Sequence, residues 1–191
     1  MAENLQLLTD RIDTPIGELL IVADLQGKLR ALHWTDHENG LRRLLQLQCG
    51  KEGLQIEPAR NPHGLAGAIG RYFAGELNVI DTLPVQLAGT SFQQEVWQAL
   101  RTIPCGSTIS YGALARQIGR PSAVRAVGLA NGSNPIPIVV PCHRVIGSNG
   151  SLTGYGGGLE RKRWLLDHEK RADIAPQRRL PYRGLADWTS N

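Results

Sequence analysis

The sequence lacks long hydrophobic runs, and no apolar stretch approaches the roughly 18 residues that a helix needs to cross a bilayer. Its first residues also lack the basic segment and apolar core of a secretory signal. These absences predict a cytoplasmic protein without a membrane partner. Internal repeats and low-complexity tracts are lacking as well. The 191 residues, of which 41% are hydrophobic, suffice for one ordinary domain or two small ones.

Cysteine is scarce, because the chain contains only Cys49, Cys105 and Cys142. Their odd number and wide spacing argue against a disulfide framework and allow a free reactive thiol in a reducing compartment. No pair of candidate metal ligands in the first part of the chain has the tight spacing of a structural zinc site. Those candidates are His33, His37, Cys49 and His63. We therefore expect no metal.

The net charge of +4 is unevenly distributed along the chain. Residues 1–90 contain 8 Lys and Arg against 11 Asp and Glu, a balance of −3, whereas residues 91–191 contain 13 against 6, a balance of +7. A basic region favours a polyanionic partner, since neutralising phosphates supplies most non-specific affinity for nucleic acid. A basic C-terminal tail alone would be the plainer explanation. Several of the arginines nevertheless lie outside that tail, namely Arg101, Arg116, Arg120, Arg125 and Arg144.

Residues 1–80 are predicted to form a small α/β domain, an antiparallel sheet plus a helix. Short apolar runs alternate with turn signals over residues 7–34, which is the pattern of β-hairpins. Apolar residues at helical spacing follow over residues 65–73. Residues 81–90 contain a proline and a glycine, lack helical periodicity and lie where the charge balance changes sign. We predict that they link this domain to a second one.

Residues 91–170 are predicted to form a mostly helical domain. Ser91 can cap a first helix, and Ser110 can cap a second one that ends near Ile118. After a turn that contains Gly119, a third helix is expected from Ser122 to Asn131. Two short helices joined by such a turn are typical of a helix-turn-helix.

The second helix of that motif carries small side chains and one cation, Arg125. Small residues let a helix approach another surface closely, and that surface is either a neighbouring helix or a nucleic-acid groove. The arginine favours the groove, because a lone cation is poorly suited to helix packing. A last helix is expected from about residue 159 to 169, with Trp164, Leu165 and His168 inward and residues 161–163 outward. Residues 171–191 are polar and basic, and we expect a flexible tail.

Cys142 and His143 stand together at the end of an apolar run closed by Pro141. A free thiol has a pKa of about 8.5, so a neighbouring imidazole is one of the few means of making it nucleophilic at neutral pH. A chance dipeptide with a buried, inert thiol is the plainer interpretation of this pair taken alone.

The chain resembles the O6-alkylguanine-DNA alkyltransferases, also called methylated-DNA–protein-cysteine methyltransferases, over residues from about 10 to 170. The central match is Ile138-Val139-Val140-Pro141-Cys142-His143-Arg144-Val145, which agrees with the active-site signature of that family without a gap. Further matches are Ile109-Ser110-Tyr111, Arg125-Ala126-Val127-Gly128, Asn134-Pro135, Tyr155, Trp164-Leu165-Leu166 and His168-Glu169. The set together is highly specific. It implies a small α/β domain followed by a mostly helical one with a helix-turn-helix.

The resemblance implies binding of duplex DNA that contains O6-alkylguanine. The second helix of the motif would enter the minor groove, where the small Ala126 and Gly128 and the preceding Ser122 allow close approach. The alkylated base would be flipped out of the stack. Arg125 would fill the space that it leaves, and Tyr111 would press on the phosphate of the flipped nucleotide.

The resemblance also implies the chemistry, in which Cys142 accepts the alkyl group from guanine O6. His143 would take the thiol proton through a water molecule, and Glu169 would hold the imidazole in the correct tautomer. Asn134 would fix the turn around the site, and Tyr155 would donate to the guanine. The base pocket would contain Pro137, the backbone carbonyl of Val145 and the loop glycines Gly156 and Gly157. Some family members have a serine where this chain has Gly156, so only a backbone N–H is available there.

The product of this reaction is a thioether without an easy leaving group, so each molecule is expected to react once, without a cofactor. We expect a monomer in solution that can assemble cooperatively on DNA, and O4-alkylthymine as a second substrate. One alternative is a non-catalytic alkyltransferase-like protein that binds DNA lesions, against which Cys142 argues. A cysteine hydrolase with the same three residue types is a further alternative, but it would leave the helix-turn-helix without a purpose.

Overall fold

The computed structural model describes residues 5–37 and 54–172. Cys49 and the predicted tail after residue 172 lie outside these ranges. The strands are β1 Leu5–Thr14, β2 Gly17–Asp24, β3 Leu29–Trp34, β4 Leu54–Pro58, β5 Ile109–Ser110 and β6 Val145–Ile146. The α-helices are α1 Leu65–Phe73, α2 Ser91–Leu100, α3 Tyr111–Gln117, α4 Val124–Gly132 and α5 Leu159–Ala172. Short 3₁₀ turns occupy Thr35–His37, Pro62–Gly64, Leu77–Thr82 and Cys142–Arg144.

The N-terminal sheet has the strand order β3-β2-β1-β4. The strands β1, β2 and β3 form two antiparallel hairpins, as the alternation predicts. Gly17 has a φ of 117° where the first hairpin turns, a conformation that favours glycine. In the second turn, the Asp24 carboxylate accepts from the backbone N–H groups of Gln26 and Lys28. The predicted antiparallel sheet contains one further strand that was not foreseen, β4, which pairs parallel to β1.

Helix α1 covers the sheet. Its buried residues recur at helical spacing and form a stripe that faces β1. This stripe consists of Leu65, Ala66, Ala68, Ile69 and Tyr72. One continuous cluster contains buried apolar side chains of the sheet, of α1 and of helices α2 to α5. A second, smaller cluster within the sheet consists of Leu7, Leu20, Val22 and Ala31. The α/β fold with a following helical part is therefore confirmed, and its two parts share a core.

The segment predicted to be a linker lies against the edge strand β3. The backbone N–H of Leu29 donates to Pro84 O at 2.8 Å, and the N–H of Gln86 donates to Leu29 O at 2.9 Å. Further along the same strand, the N–H of Leu32 donates to Pro135 O at 3.0 Å. The edge of the sheet is thus tied both to residues 81–90 and to the loop that precedes Cys142.

Two caps decide where the helices of the C-terminal part begin. Ser110 caps α3 as predicted, because its hydroxyl accepts from the N–H of Ala113 at 3.1 Å. The prediction of Ser91 as a cap is wrong. Thr90 caps α2 instead, since its hydroxyl and the side chain of Gln93 each accept from the other residue's N–H. Ser91 is then the first residue inside the helix.

Helices α3 and α4 form the predicted helix-turn-helix. Gly119, with a φ of 70°, ends α3. Helix α4 begins at Val124 rather than Ser122, because a turn closed by the N–H of Ala123 on Arg120 O precedes it. The indole N–H of Trp97 donates to Ala130 O at 2.8 Å and ties α2 to α4. Among residues 5–37 and 54–172, no helix has the length and apolarity needed to span a membrane.

The last helix differs from its prediction in length and in one face. Helix α5 continues to Ala172, beyond the predicted end near residue 169. Lys162, predicted to point outward, is fully buried. It lies three, four and seven positions before Leu165, Leu166 and Glu169, and it therefore belongs to the buried stripe of the helix. Arg163 is exposed, as predicted.

Candidate active site

Cys142 follows the apolar residues 136–140, which form bends and turns rather than a strand. Its side chain is buried, and residues 142–144 form a 3₁₀ turn in which the N–H of Arg144 donates to Pro141 O. Four residues earlier, Ile138 has a φ of 75°, a strained conformation for a β-branched residue that costs on the order of 1–3 kcal/mol. Such strain persists only where the surrounding structure imposes it. The backbone before the cysteine is therefore held in one shape.

Asn134 supplies part of that constraint. Its Nδ2 donates to Val140 O at 2.7 Å, and its Oδ1 accepts from the N–H of Ile136 at 3.0 Å. One side chain thus closes the loop from both sides. This is the geometry that the predicted role of Asn134 requires.

His143 and Glu169 form a buried pair in which the tautomer is determined. Nε2 of His143 lies 2.8 Å from Oε1 of Glu169, and neither side chain is exposed. Burial alone would raise the pKa of Glu169, but the facing His143 and the hydrogen bonds from His143 and Arg144 outweigh it and hold that pKa well below its usual range. An ionised carboxylate can only accept, so the imidazole proton is on Nε2. Nδ1 is then the basic nitrogen.

The protonation state of His143 fits the role of a base. Burial lowers the pKa of His143, and the opposing attraction of Glu169 does not restore it. The imidazole is therefore neutral at physiological pH. A neutral imidazole with its proton on Nε2 offers the lone pair of Nδ1 to a proton.

Glu169 accepts from more donors than the sequence indicated. Arg144 donates from Nε to Oε2 and from Nη2 to Oε1, both at 2.9 Å, and the guanidinium is buried. The hydroxyl of Tyr72, on α1, donates to Oε1 at 2.9 Å, and the N–H of Gly106 donates to Oε2 at 3.2 Å. The N-terminal part of the chain therefore contributes directly to the carboxylate that orients His143.

The thiol of Cys142 is protonated at neutral pH. Burial raises the pKa of Cys142 to about 11, although a hydrogen bond with Asn134 and the charge of Lys162 oppose this rise. Nζ of Lys162 donates to Val145 O and Thr153 O, both at 2.7 Å. Burial lowers the pKa of Lys162 to about 8, and only the thiolate form of Cys142 would oppose this fall. The sequence interpretation missed Lys162 as a site residue, although its place in the buried stripe of α5 was readable.

A cavity of about 200 Å³ opens beside Cys142. Its walls come from four segments: strand β3, the end of α4 with the following loop, the Cys142 turn and the glycine loop. The residues that line the cavity are Leu32, His33, Trp34, Asn131, Gly132, Ser133, Asn134, Pro137, Cys142, Gly154, Tyr155, Gly156 and Gly157. The predicted pocket residues Pro137, Gly156 and Gly157 are among them. Val145 is not, and its carbonyl accepts from Lys162.

The buried side-chain polar atoms without a hydrogen-bond partner in the described part of the chain cluster at this place. Three belong to residues that line the cavity, and the fourth belongs to the base beside the thiol. They are Trp34 Nε1, Asn131 Oδ1, Tyr155 OH and His143 Nδ1. An unsatisfied buried polar group costs about 1–3 kcal/mol, so such groups are rare in places that bind nothing. The concentration of these atoms indicates a binding cavity with polar specificity.

The predicted DNA-contacting residues lie outside this cavity. Ser122, Arg125 and Ala126 are exposed on the outer side of the helix-turn-helix. Leu129 on the same helix is 78% exposed and adds an apolar side chain to this surface.

Tyr111 and Gly128 connect this surface with the cavity. A Cβ at Gly128 would lie 4.0 Å from Cδ1 of the Tyr111 ring, an ordinary van der Waals distance, so the helix and the tyrosine are neighbours. The Tyr111 hydroxyl donates to Thr153 O at 3.2 Å, next to the glycine loop.

Comparisons with known proteins agree with this arrangement. Residues 91–171 match the family model of the DNA-binding domain of 6-O-methylguanine DNA methyltransferase. A methylated-DNA–protein-cysteine methyltransferase of Shigella flexneri is 56% identical over 165 residues, 86% of this chain and 96% of that protein. One of Mycolicibacterium paratuberculosis is 60% identical over 168 residues, 84% of this chain and 90% of that protein. The crystal structure of Mycobacterium tuberculosis OGT in complex with DNA superposes with a TM-score of 0.70 at 46% identity, covering 87% of this chain and 94% of that one.

Proposed function

The chain belongs to the methylated-DNA–protein-cysteine methyltransferase family, and we propose that it repairs duplex DNA by moving an alkyl group from guanine O6 to the sulfur of its own Cys142. The observation that carries this proposal is the buried Cys142 thiol at a cavity, followed in the chain by a neutral His143 that is hydrogen-bonded to Glu169. A nucleophile, a base and an orienting carboxylate are thus present in one place.

The transfer is one displacement at the alkyl carbon. The sulfur–carbon bond forms as the carbon–O6 bond breaks, and the electron pair of the broken bond stays on the guanine. The thiol proton passes through a water molecule to Nδ1 of His143, because the pKa of Cys142 near 11 leaves little thiolate at neutral pH. His143 later releases this proton to solvent, and the departing base gains one, so the protons balance.

Tyr155 assists the departure of the base. Burial raises the pKa of Tyr155 well above its usual value, so the side chain remains a phenol that can donate. Its hydroxyl is buried, belongs to a residue that lines the cavity and makes no hydrogen bond of regular geometry in the described part of the chain, although the nearby Trp34 indole opposes the rise of its pKa. A hydrogen bond to the guanine stabilises the charge that develops as the carbon–oxygen bond breaks. The resulting thioether on Cys142 has no easy leaving group, so each molecule reacts once.

The target base reaches the cavity only outside the helical stack. Flipping costs a few kcal/mol, which contacts on the protein must offset. The exposed Arg125 on α4 fills the vacated space, and Tyr111, between α4 and the glycine loop, contacts the phosphate of the flipped nucleotide. Nucleophile, base and cavity all come from one chain, which supports action as a monomer.

The test is a mass measurement on the protein after incubation with a duplex that contains one O6-methylguanine. The Cys142 peptide should gain about 14 mass units, one CH₂, in an amount equal to the guanine repaired. The Cys105 peptide is the internal control, because burial raises the pKa of that thiol to about 12 and it should stay unmodified. A duplex with O4-methylthymine measures the second expected substrate.

A Cys142→Ser variant separates repair from lesion binding. It should lose all transfer but retain binding to the damaged duplex, while a variant that loses both has misfolded. If wild-type protein binds the damaged duplex and Cys142 remains unmodified, the proposed transfer is refuted, and the chain would be a lesion-binding protein.

A further inference from the structure

One wall of the cavity comes from the N-terminal sheet. Leu32, His33 and Trp34 at the end of β3 line it, together with the loop that carries Cys142. The hydrogen bond from the Leu32 N–H to Pro135 O at 3.0 Å fixes the strand against that loop. These three residues precede the region 91–171 that matches the DNA-binding domain of the family, so no motif of that domain indicates their role.

Trp34 is held rigidly in this wall. It is 2% exposed, and the guanidinium carbon of Arg161 lies 4.5 Å from the centre of its ring. The arginine is itself fixed, because it donates to Ile16 O at 2.8 Å, to Gly157 O at 3.1 Å and to both carboxylate oxygens of Asp36 at 3.2 and 2.7 Å. The position of the indole is therefore set before any ligand binds.

The indole N–H faces the glycine loop that borders the cavity. A Cβ at Gly157 would lie 2.5 Å from Trp34 Nε1, so only glycine fits there. Nε1 is buried and makes no hydrogen bond of regular geometry in the described part of the chain, although the indole lies near enough to the Tyr155 hydroxyl to oppose the rise of that group's pKa. An indole N–H can only donate, so its partner must be an acceptor.

We propose that Trp34 is a substrate-binding residue of this site, whose indole N–H donates to an acceptor of the flipped alkylated base and whose ring forms the wall beside that base. The proposal rests on the proposed function and adds a residue of the N-terminal sheet to the base pocket. O6-alkylguanine suits such a donor, because its purine ring nitrogens N1, N3 and N7 are all acceptors, whereas unmodified guanine carries a proton on N1.

The test uses Trp34→Phe, which removes the N–H and keeps an aromatic side chain. Single-turnover labelling of Cys142 with free O6-benzylguanine yields a rate at saturation and a half-saturating concentration. The latter should rise about tenfold, which corresponds to one lost hydrogen bond to the ligand. The end point of labelling, which counts folded and active molecules, and the affinity for undamaged duplex should not change.

Gly157→Ala is the second variant, because its Cβ displaces the indole N–H without changing Trp34. The Cβ also meets Tyr155 Cε1 at 2.9 Å, so Trp34→Phe remains the decisive variant. It should raise the half-saturating concentration in the same direction. The matched controls are Trp164→Phe, on α5 outside the cavity, and Gly67→Ala, where a Cβ meets only ordinary contacts at 3.5 Å and beyond. Both controls should react like the wild type.

Three outcomes separate the proposals. If Trp34→Phe and Gly157→Ala both have the same half-saturating concentration of O6-benzylguanine as the wild type, the role of Trp34 is overturned. The proposed alkyl transfer would not be affected. If the end point of labelling and the affinity for duplex fall equally in these variants, Trp34 has a structural role instead. Absence of the methyl adduct on Cys142 of the wild-type protein after incubation with the duplex that contains O6-methylguanine would refute the proposed function itself.

Discussion

The residues around Cys142 are arranged to keep a reactive thiol protonated until a substrate is present. Burial raises the pKa of Cys142 to about 11, whereas burial lowers that of His143. The thiol is therefore an acid and the imidazole a neutral base over the same pH range. Such a pair exposes little thiolate to adventitious electrophiles, and it requires proton transfer to accompany the attack on the alkyl carbon.

This arrangement predicts an unusual pH dependence of labelling by O6-benzylguanine. The wild-type rate should be flat between about pH 6.5 and 8 and should fall only below about pH 6.5, since the lowered pKa of His143 keeps it neutral above that value. In His143→Gln only thiolate reacts, so the rate should be far lower and should rise about tenfold per pH unit over the same range. The range ends at pH 8 because the pKa of Lys162 is about 8, so that side chain has lost about half of its charge by then.

The contradictory result would be a wild-type rate that itself rises log-linearly from pH 6.5 to 8. That slope would show that the protein reacts through free thiolate without help from His143.

Glu169 should make the stability of the protein sensitive to acid. Its pKa in the folded state lies well below the ordinary value of about 4.3, so its contribution is present above that value and is lost as the pH falls below it. Glu169→Gln should lower the free energy of unfolding at pH 7 by about 3–5 kcal/mol, because Arg144 then remains buried without its partner. Its stability should also decline less steeply than that of the wild type below about pH 4.

The matched control is Asp167→Asn, an exposed carboxylate two positions away on the same helix. Urea unfolding followed by circular dichroism at pH 7, 5 and 3 measures all three proteins. An acid decline in Glu169→Gln as steep as that of the wild type would assign the sensitivity to other carboxylates.

At the scale of residues, the sequence predicted those site residues that lie close together in one motif. Cys142, His143 and Asn134 lie within ten positions of one another, so their proximity follows from the motif. Tyr72 and Trp34 reach the site only through packing of the sheet and α1, which no local pattern encodes. Lys162 was misplaced because a charged residue was assumed to face solvent, while two backbone carbonyls satisfy it inside.

The two sides of helix α4 belong to different parts of the site. Its inner side is buried through Val127, Ala130 and Asn131, and Asn131 lines the cavity. Its outer side carries the exposed Arg125, and Leu129 is 78% exposed. One short helix thus joins the surface proposed to meet DNA to the cavity proposed to receive the base.

Arg125→Ala should therefore separate the two substrates. Transfer from duplex O6-methylguanine should slow at least about tenfold, because the space left by the flipped base is no longer filled. Labelling by free O6-benzylguanine should remain within about twofold, since no base needs flipping. Both are followed as single-turnover rates, with Arg163→Ala on α5 as the charge-matched control.

A parallel loss on both substrates in Arg125→Ala would remove the role in base flipping. It would indicate a distortion of the cavity through α4.

At the scale of elements, the helix-turn-helix and its cap Ser110 could be predicted, because caps and turns are local signals. The correct cap of α2, Thr90 rather than Ser91, could also be predicted from a local signal. Gln93 stands three residues after Thr90, as a capping box requires. The parallel pairing of β4 with β1 could not be predicted in this way. It depends on a long connection between the strands, which the alternation of residues does not describe.

The whole molecule brings an acidic N-terminal part and a basic C-terminal part together around one core. Residues 1–90 carry a balance of −3 and residues 91–191 one of +7. The buried cluster runs through the sheet and the helices, and the cavity takes walls from both. The composition revealed the charge asymmetry. The acidic part also forms a wall of the site, and this depends on the hydrogen bond between Leu32 and Pro135.

The asymmetry predicts that salt affects the substrates differently. Affinity for duplex should fall log-linearly with salt, with a slope of about −0.9 per phosphate contacted, because binding to the basic part releases counterions. Labelling by O6-benzylguanine, a neutral molecule, should stay constant from about 50 to 200 mM salt, since the cavity and the buried His143–Glu169 pair are shielded from screening. Fluorescence anisotropy and single-turnover labelling on one protein preparation give both curves. If labelling by the free base falls in step with duplex affinity, salt acts on the fold or on the catalytic groups rather than on the contact with DNA.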